Sequence, residues 1–298
     1  METHPLLQSF FATTIFGVRA PPPKLVDSHI IHNISGVIFR IFLITLIGTL
    51  AIWANQEASK GFSVTIVNDA GKYSLPGKQF SLFYESNDKA TRIVLNTSKF
   101  VENLLYPNED FRRTRKQING VTLRLAPNSF PTTVHVAVDS RKPYEYLISL
   151  SPSIMETSDN NEAVVSAVLQ GMARVWLWDG NGGAPPVLLH GMVEYISSLA
   201  GFTAWTSGDD ETRSPENSAV CWRDEKSRKV AGFLRYCDER KRPGGGGGGG
   251  GEVIRRLNER MRNEWHDRMM DEALGMEGEH ACASYDMLIR HRDLVSSM

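Results

Sequence analysis

An α+β fold is predicted for this 298-residue chain by three observations. Short stretches in which apolar and polar residues alternate, the mark of half-buried strands, gather before Ser151. From Asp159 onward apolar residues recur at three-to-four spacing almost throughout, the mark of helices that bury one face. Strands first and helices later argue against a repeating βαβ chain.

The elements follow in order. Residues 1–33, with the stiff "APPPK" turn, are expected to be a disordered tail. The run "ISGVIFRIFLITLIGTLAIWA", residues 34–54, is apolar except for Arg40 and a few small polar residues; as a helix it is about 31 Å long, the thickness of a bilayer's hydrocarbon core. Arg40 lies near its N-terminal end, where a long stem can snorkel to the interface. No small-x-small cleavage site follows, since Trp53 and Asn55 flank Ala54, so a retained single-pass anchor is expected, with a cleaved signal or a buried core helix as alternatives. Arg19, Lys24 and Arg40 precede the apolar centre and Glu57 and Lys60 follow it. The positive-inside rule then leaves the N-terminus cytosolic and the domain, residues 60–298, lumenal or extracellular. In that orientation Asn96, in "NTS", is a glycosylation acceptor.

Within the domain, "FSVTIVND", "VTLRLA", "TVHVAV" and "YLISLS" read as strands, and "NDKATRIVLNTSKFVENLLY" between the first two reads as an amphipathic helix. "NEAVVSAVLQGMARVWLW" is a central buried helix with Asp159 or Asn160 as N-cap; the glycines of "DGNGG" end it and "APP" launches the next, Val187 to Ala200. The stretch 243–251 ends in eight successive glycines, which lose too much backbone entropy to order and read as a flexible loop between helices.

Charge is balanced, 33 Lys and Arg against 34 Asp and Glu, so no global field favours nucleic acid, and none is expected as a partner. Three cysteines cannot all pair; Cys221 and Cys237 form one bridge if the domain is lumenal, or are buried thiols. "RRTRK", Arg112 to Lys116, reads as a solvated helix face, Asp209 and Asp210 as an exposed loop pair, and His135, His266, His280 and His291 as ordinary surface or core residues.

The stretch "QGMARVWLWDGNGGAPPVLLHGMVEYI" resembles, without a gap, the "HEMTHVWQWNGNGQAPGGLIEGIADYV" pattern of the plant and bacterial basic secretory protein family, zincin-like metallopeptidases. "AGFLRYC" and "LNERMR" extend the resemblance towards the C-terminus. It implies a zincin-like fold, with a small N-terminal mixed sheet packed on a central helix and a mainly helical C-terminal half. It also implies a secreted, defence-related setting.

The chemistry departs from that pattern. An HExxH site binds zinc through two histidines one turn apart, with the glutamate as general base and a third ligand on the next helix. Aligned on the family, the two histidine positions are Gln170 and Arg174, the base is Gly171, the third-ligand position is His190, and the acid beyond it is Glu194. A dication about 4 Å from a guanidinium is repelled by roughly 8 kcal/mol at an effective dielectric of 20, more than one imidazole offsets. No cofactor or metal is therefore expected, and Arg174 is expected to pair with Glu194 across the emptied site. The expected function is a membrane-anchored, catalytically inactive metallopeptidase-like binding or regulatory module. Gln170, Gly171, Arg174, His190 and Glu194 would mark a vestigial cleft for a peptide or protein ligand. The alternatives are an active hydrolase with a non-standard site and a purely structural ectodomain.

Overall fold

The computed structural model describes residues 38–49, 61–71, 73–138, 142–157, 159–202, 220–223, 226–240 and 250–296. The expected tail, the Asp209–Asp210 pair and most of the glycine tract lie outside the described residues. Two compact units are formed, Met1–Ser59 and Lys60–Met298.

In the first unit, residues 38–49 form a helix (α1), about 18 Å long at the helical rise. Among the described residues no helix is long and apolar enough to cross a membrane. The expected span, 34–54, extends beyond the described residues at both ends.

In the second unit all four expected strands form: β1 (Ser63–Asn68), β2 (Gly120–Leu125), β3 (Val134–Val138) and β4 (Glu145–Leu150). They make one mixed sheet in the order β1-β2-β4-β3, with β1, β2 and β4 parallel and β3 antiparallel to β4 at the edge. The mixed sheet agrees with α+β rather than a repeating βαβ chain, although it contains one crossover of that kind. β1 and β2 are parallel neighbours, and such neighbours need a long crossover, here carrying α2 (Leu75–Phe80), a π-helical turn (Ser81–Glu85), α3 (Lys89–Leu105) and α4 (Glu109–Arg112). The alternating pattern marks strands but not their direction.

The helix α5 (Asn160–Trp176) starts where Asp159 accepts a hydrogen bond from the Glu162 N–H at 3.3 Å. Of the side chains expected on its core face, Val164, Val168, Leu169, Met172, Val175 and Trp176 are buried and Val165 is half-buried. It packs against α3 and against β3 and β4 of the sheet, in which Leu123 and Leu125 of β2 and Ile148 and Leu150 of β4 are fully enclosed. The described residues that follow are mainly helical, as expected: α6 (Pro186–Leu199), α7 (Ser227–Arg240), α8 (Glu252–Arg260), α9 (Arg268–Leu274) and α10 (Gly278–Ser296).

Neither expectation for the cysteines describes Cys221. It is bonded to Cys282 of α10, 61 positions away with Cα atoms 5.6 Å apart, while Cys237 is a buried thiol. Spacing in sequence carries no information on which cysteines meet once helices pack.

Asp238, in the last turn of α7, is 2 % exposed and joins three helices. Its carboxylate accepts from the Tyr195 hydroxyl of α6 (2.9 Å), from the Gly251 N–H (2.6 Å) and from the Val253 N–H (3.0 Å). A negative charge at the first turn of α8 is also where the helix dipole favours one.

Candidate functional site

The candidate site lies where α5 ends and α6 begins. The turn between them needs three successive left-handed residues, Gly180, Asn181 and Gly182, which glycine and asparagine adopt at least cost. Its tryptophans are structural. Trp176 Nε1 donates to Ser98 Oγ of α3 (3.0 Å) and Trp178 Nε1 to the Thr114 carbonyl (3.2 Å). The Trp178 backbone N–H donates to Asn258 Oδ1 of α8 (2.8 Å). These three donors each fasten a different segment, so the tryptophans hold the frame whether or not the chemistry beside them survives.

Gln170 and Arg174 sit one turn apart on α5, both half-buried. Gly171, at the base position, is buried against β4: a Cβ there would lie 2.7 Å from Ile148 Cγ2 and 3.1 Å from Cδ1. The Ile148 side chain fills the space a carboxylate would need, so a side chain here fits only if Ile148 shifts or the helix and strand separate.

Arg174 makes no ion pair with Glu194, contrary to expectation. Its guanidinium pairs with Asp179 Oδ2 at 3.6 Å, and Glu194 instead accepts a short hydrogen bond from the Ser227 hydroxyl at the start of α7. Asp179 is local to Arg174, five residues on and just past the end of the same helix, so less chain has to be ordered to bring the two together. Arg174 and Asp179 are each about one-third exposed, and such pairs typically contribute under about 1 kcal/mol. With Ala184, Leu189 and the exposed His190 they line a hollow of about 150 Å³. This is below the roughly 300 Å³ at which small-molecule sites begin. It has room for a terminal group rather than a length of peptide.

A catalytic zinc does not fit these residues. Gln170 is a weak donor, position 171 has no side chain, Arg174 carries a fixed positive charge, and His190 is a single imidazole. Among the described residues, the one grouping of three His, Cys, Asp or Glu ligands close enough to share a cation is elsewhere, at Cys221, Cys282 and Asp286.

A residue that was expected to be solvated is part of this region. Arg112, Arg113 and Arg115 are exposed, but Lys116 turns inward, donating from Nζ to the Leu177 carbonyl at the end of α5 (2.8 Å) and lying 5.2 Å from the Tyr146 ring centre and 5.5 Å from that of Trp178. The signal was present: extending the alternation of β2 backwards puts Lys116 on the side of Ile118 and Gly120, both buried. Burial pushes its amine down to about 8, with Arg174 acting in the same sense and Asp179 against it.

The unfolded chain therefore binds a proton that the folded one has shed between about pH 8 and 10.5, and stability rises with pH across that window. Tyr106, pushed up to about 12 mainly by burial, acts oppositely above pH 10, where the unfolded tyrosine ionises first. Urea midpoints are expected to climb from about pH 8 to 10 and then fall. Lys116→Met removes the rise, and an unchanged profile in that variant refutes the assignment.

A sequence model of the family described as Peptidase of plants and bacteria matches residues 59–285, well over half of the chain. The chain belongs to this family. Membership of the peptidases of plants and bacteria agrees with the resemblance carried by the tryptophan and glycine string. Comparison with curated proteins and with solved structures finds no match.

Proposed function

We propose that this chain is a member of the family that does not hydrolyse peptides and instead binds a carboxylate-bearing group, such as a peptide C-terminus, in the hollow beside α5. One observation carries this reading. Arg174 stands at the second histidine position of the family with its guanidinium lining the hollow, held by a single, partly exposed carboxylate at 3.6 Å. A guanidinium has five donors in a fork that suits a carboxylate, so most of its capacity is left for a ligand. His190 lines the same hollow. A shifted hydrolytic site finds no support in the described residues of the hollow.

The test uses an acetylated tripeptide with a free C-terminal carboxylate and its C-terminal amide, titrated into the full chain. The acid is expected to bind at least about tenfold more tightly, the equivalent of one charge-assisted hydrogen bond. Arg174→Ala is expected to remove the difference while leaving thermal stability within about 1 kcal/mol. Equal affinity for acid and amide, or chelator-sensitive cleavage of either, defeats the proposal.

The same reading places the chain on a membrane through residues 34–54 with the domain on the far side from the cytosol. It rests on the length and apolarity of that run and on its flanking charges. Asn96, exposed midway along α3, is then glycosylated. A mobility shift on endoglycosidase treatment that disappears in Asn96→Gln is the expected result; no shift in the wild-type chain made in a secretory pathway counts against this topology.

A further inference from the structure

We propose that Cys221, Cys282 and Asp286 form a metal site that the disulfide closes: when the cysteine pair is reduced, two thiolates and one carboxylate hold a single zinc-class divalent cation. It is independent of the hollow beside α5.

The three ligand atoms already lie within 4.8 Å of one another. Cys282 and Asp286 are four residues apart on α10, so their side chains share one face, and Cys221 faces them from the short turn Cys221–Arg223. Two sulfurs bound to one tetrahedral zinc at about 2.3 Å are about 3.8 Å apart, a separation that side-chain rotation alone reaches when the Cα atoms are 5.6 Å apart.

Burial favours a cation once the bond is opened. Both cysteines are under 10 % exposed, and two thiolates beside a carboxylate in such a place are costly unless a positive charge joins them. Asp286 is half-buried, which leaves a solvent-facing side for a water as fourth ligand. Two sulfurs and one oxygen suit zinc over magnesium or calcium.

The exchange balances. A dithiol reductant gives two electrons and two protons to the Cys221–Cys282 bond and becomes a disulfide itself. The cation then takes both sulfurs as thiolates and releases the two protons to solvent. The turn at Cys221 and α10 are thus joined in either state, by a covalent bond or through a metal.

The experiment uses the full chain carrying Cys237→Ser, so that only the pair remains. Reduction is expected to lower the thermal midpoint, and one equivalent of zinc to restore much of the loss. Cobalt in its place gives the intense near-ultraviolet absorption of thiolate ligation. Asp286→Ala is expected to leave the midpoint of the oxidised chain unchanged and to weaken zinc binding to the reduced chain more than about tenfold, the least that even outer partners of a metal site carry. If reduction unfolds the chain, zinc refolds it, read from the far-ultraviolet circular dichroism of its helices. The proposal is overturned if the reduced chain takes up no zinc, if zinc leaves an unfolded reduced chain unfolded, if the oxidised chain binds zinc as tightly, or if Asp286→Ala binds it undiminished.

Discussion

Gly171→Glu, which puts a glutamate where the family pattern has one, is expected to destabilise the domain by more than about 4 kcal/mol and to confer no hydrolysis. Two costs add. A Cβ at this position meets Ile148 at 2.7 Å, and overpacking of an enclosed contact typically costs about 1–3 kcal/mol. A carboxylate carried into the same place, between α5 and β4, adds several kcal/mol for a buried charge with no partner.

Gly171→Ala separates the two. It keeps the clash and removes the charge, and the better helix propensity of alanine returns about 1 kcal/mol, so a net loss of no more than about 2 kcal/mol is expected. Ile148→Ala clears the space and should make the alanine substitution nearly neutral in that background, a coupling that a double-mutant cycle in urea reads directly. A Gly171→Glu chain as stable as the wild type means that α5 and β4 are not in the contact described.

Asp238→Ala is expected to cost about 4 kcal/mol. Three donors converge on this carboxylate, two of them backbone N–H groups at the start of α8, and hydrogen bonds to charged groups typically contribute about 1.5–3 kcal/mol each, less what is regained by no longer burying the charge. Asp238→Asn keeps the shape and one acceptor but turns a donor towards the others, and is expected to lose about half as much. Denaturant midpoints check both. An Asp238→Ala chain within 1 kcal/mol of the wild type shows that α8 is capped by something else.

The parts of the fold legible in the sequence are those fixed by neighbours along the chain. The four strands were marked by alternation, α3 and α5 by three-to-four spacing, and the start of α5 by Asp159, whose side chain makes the expected cap. Pairings between distant segments were not legible. Nothing in "FSVTIVND" says that it lies parallel to "VTLRLA", and nothing at Cys221 points to Cys282.

The candidate site divides in the same way. The positions of Gln170, Gly171, Arg174, His190 and Glu194 followed from a gapless alignment with a family pattern. Their contacts did not follow. Glu194 was assigned by charge to Arg174 but is taken by a hydroxyl on α7, an element that opposite charges within two helices could not reveal. The inward turn of Lys116 was readable from strand alternation but was hidden by the four charged or polar residues before it.

Asp238 also bears on the run of glycines that ends at Gly251. α7 finishes at Arg240 and α8 starts at Glu252, and the two ends are fastened together by one side chain on the near bank and two amides on the far one. With the junction closed at its base, the number of residues strung between hardly matters to the fold, because doubling a flexible loop adds only about 0.6 kcal/mol. The architecture thus supplies a place where a change in the number of glycines is tolerated.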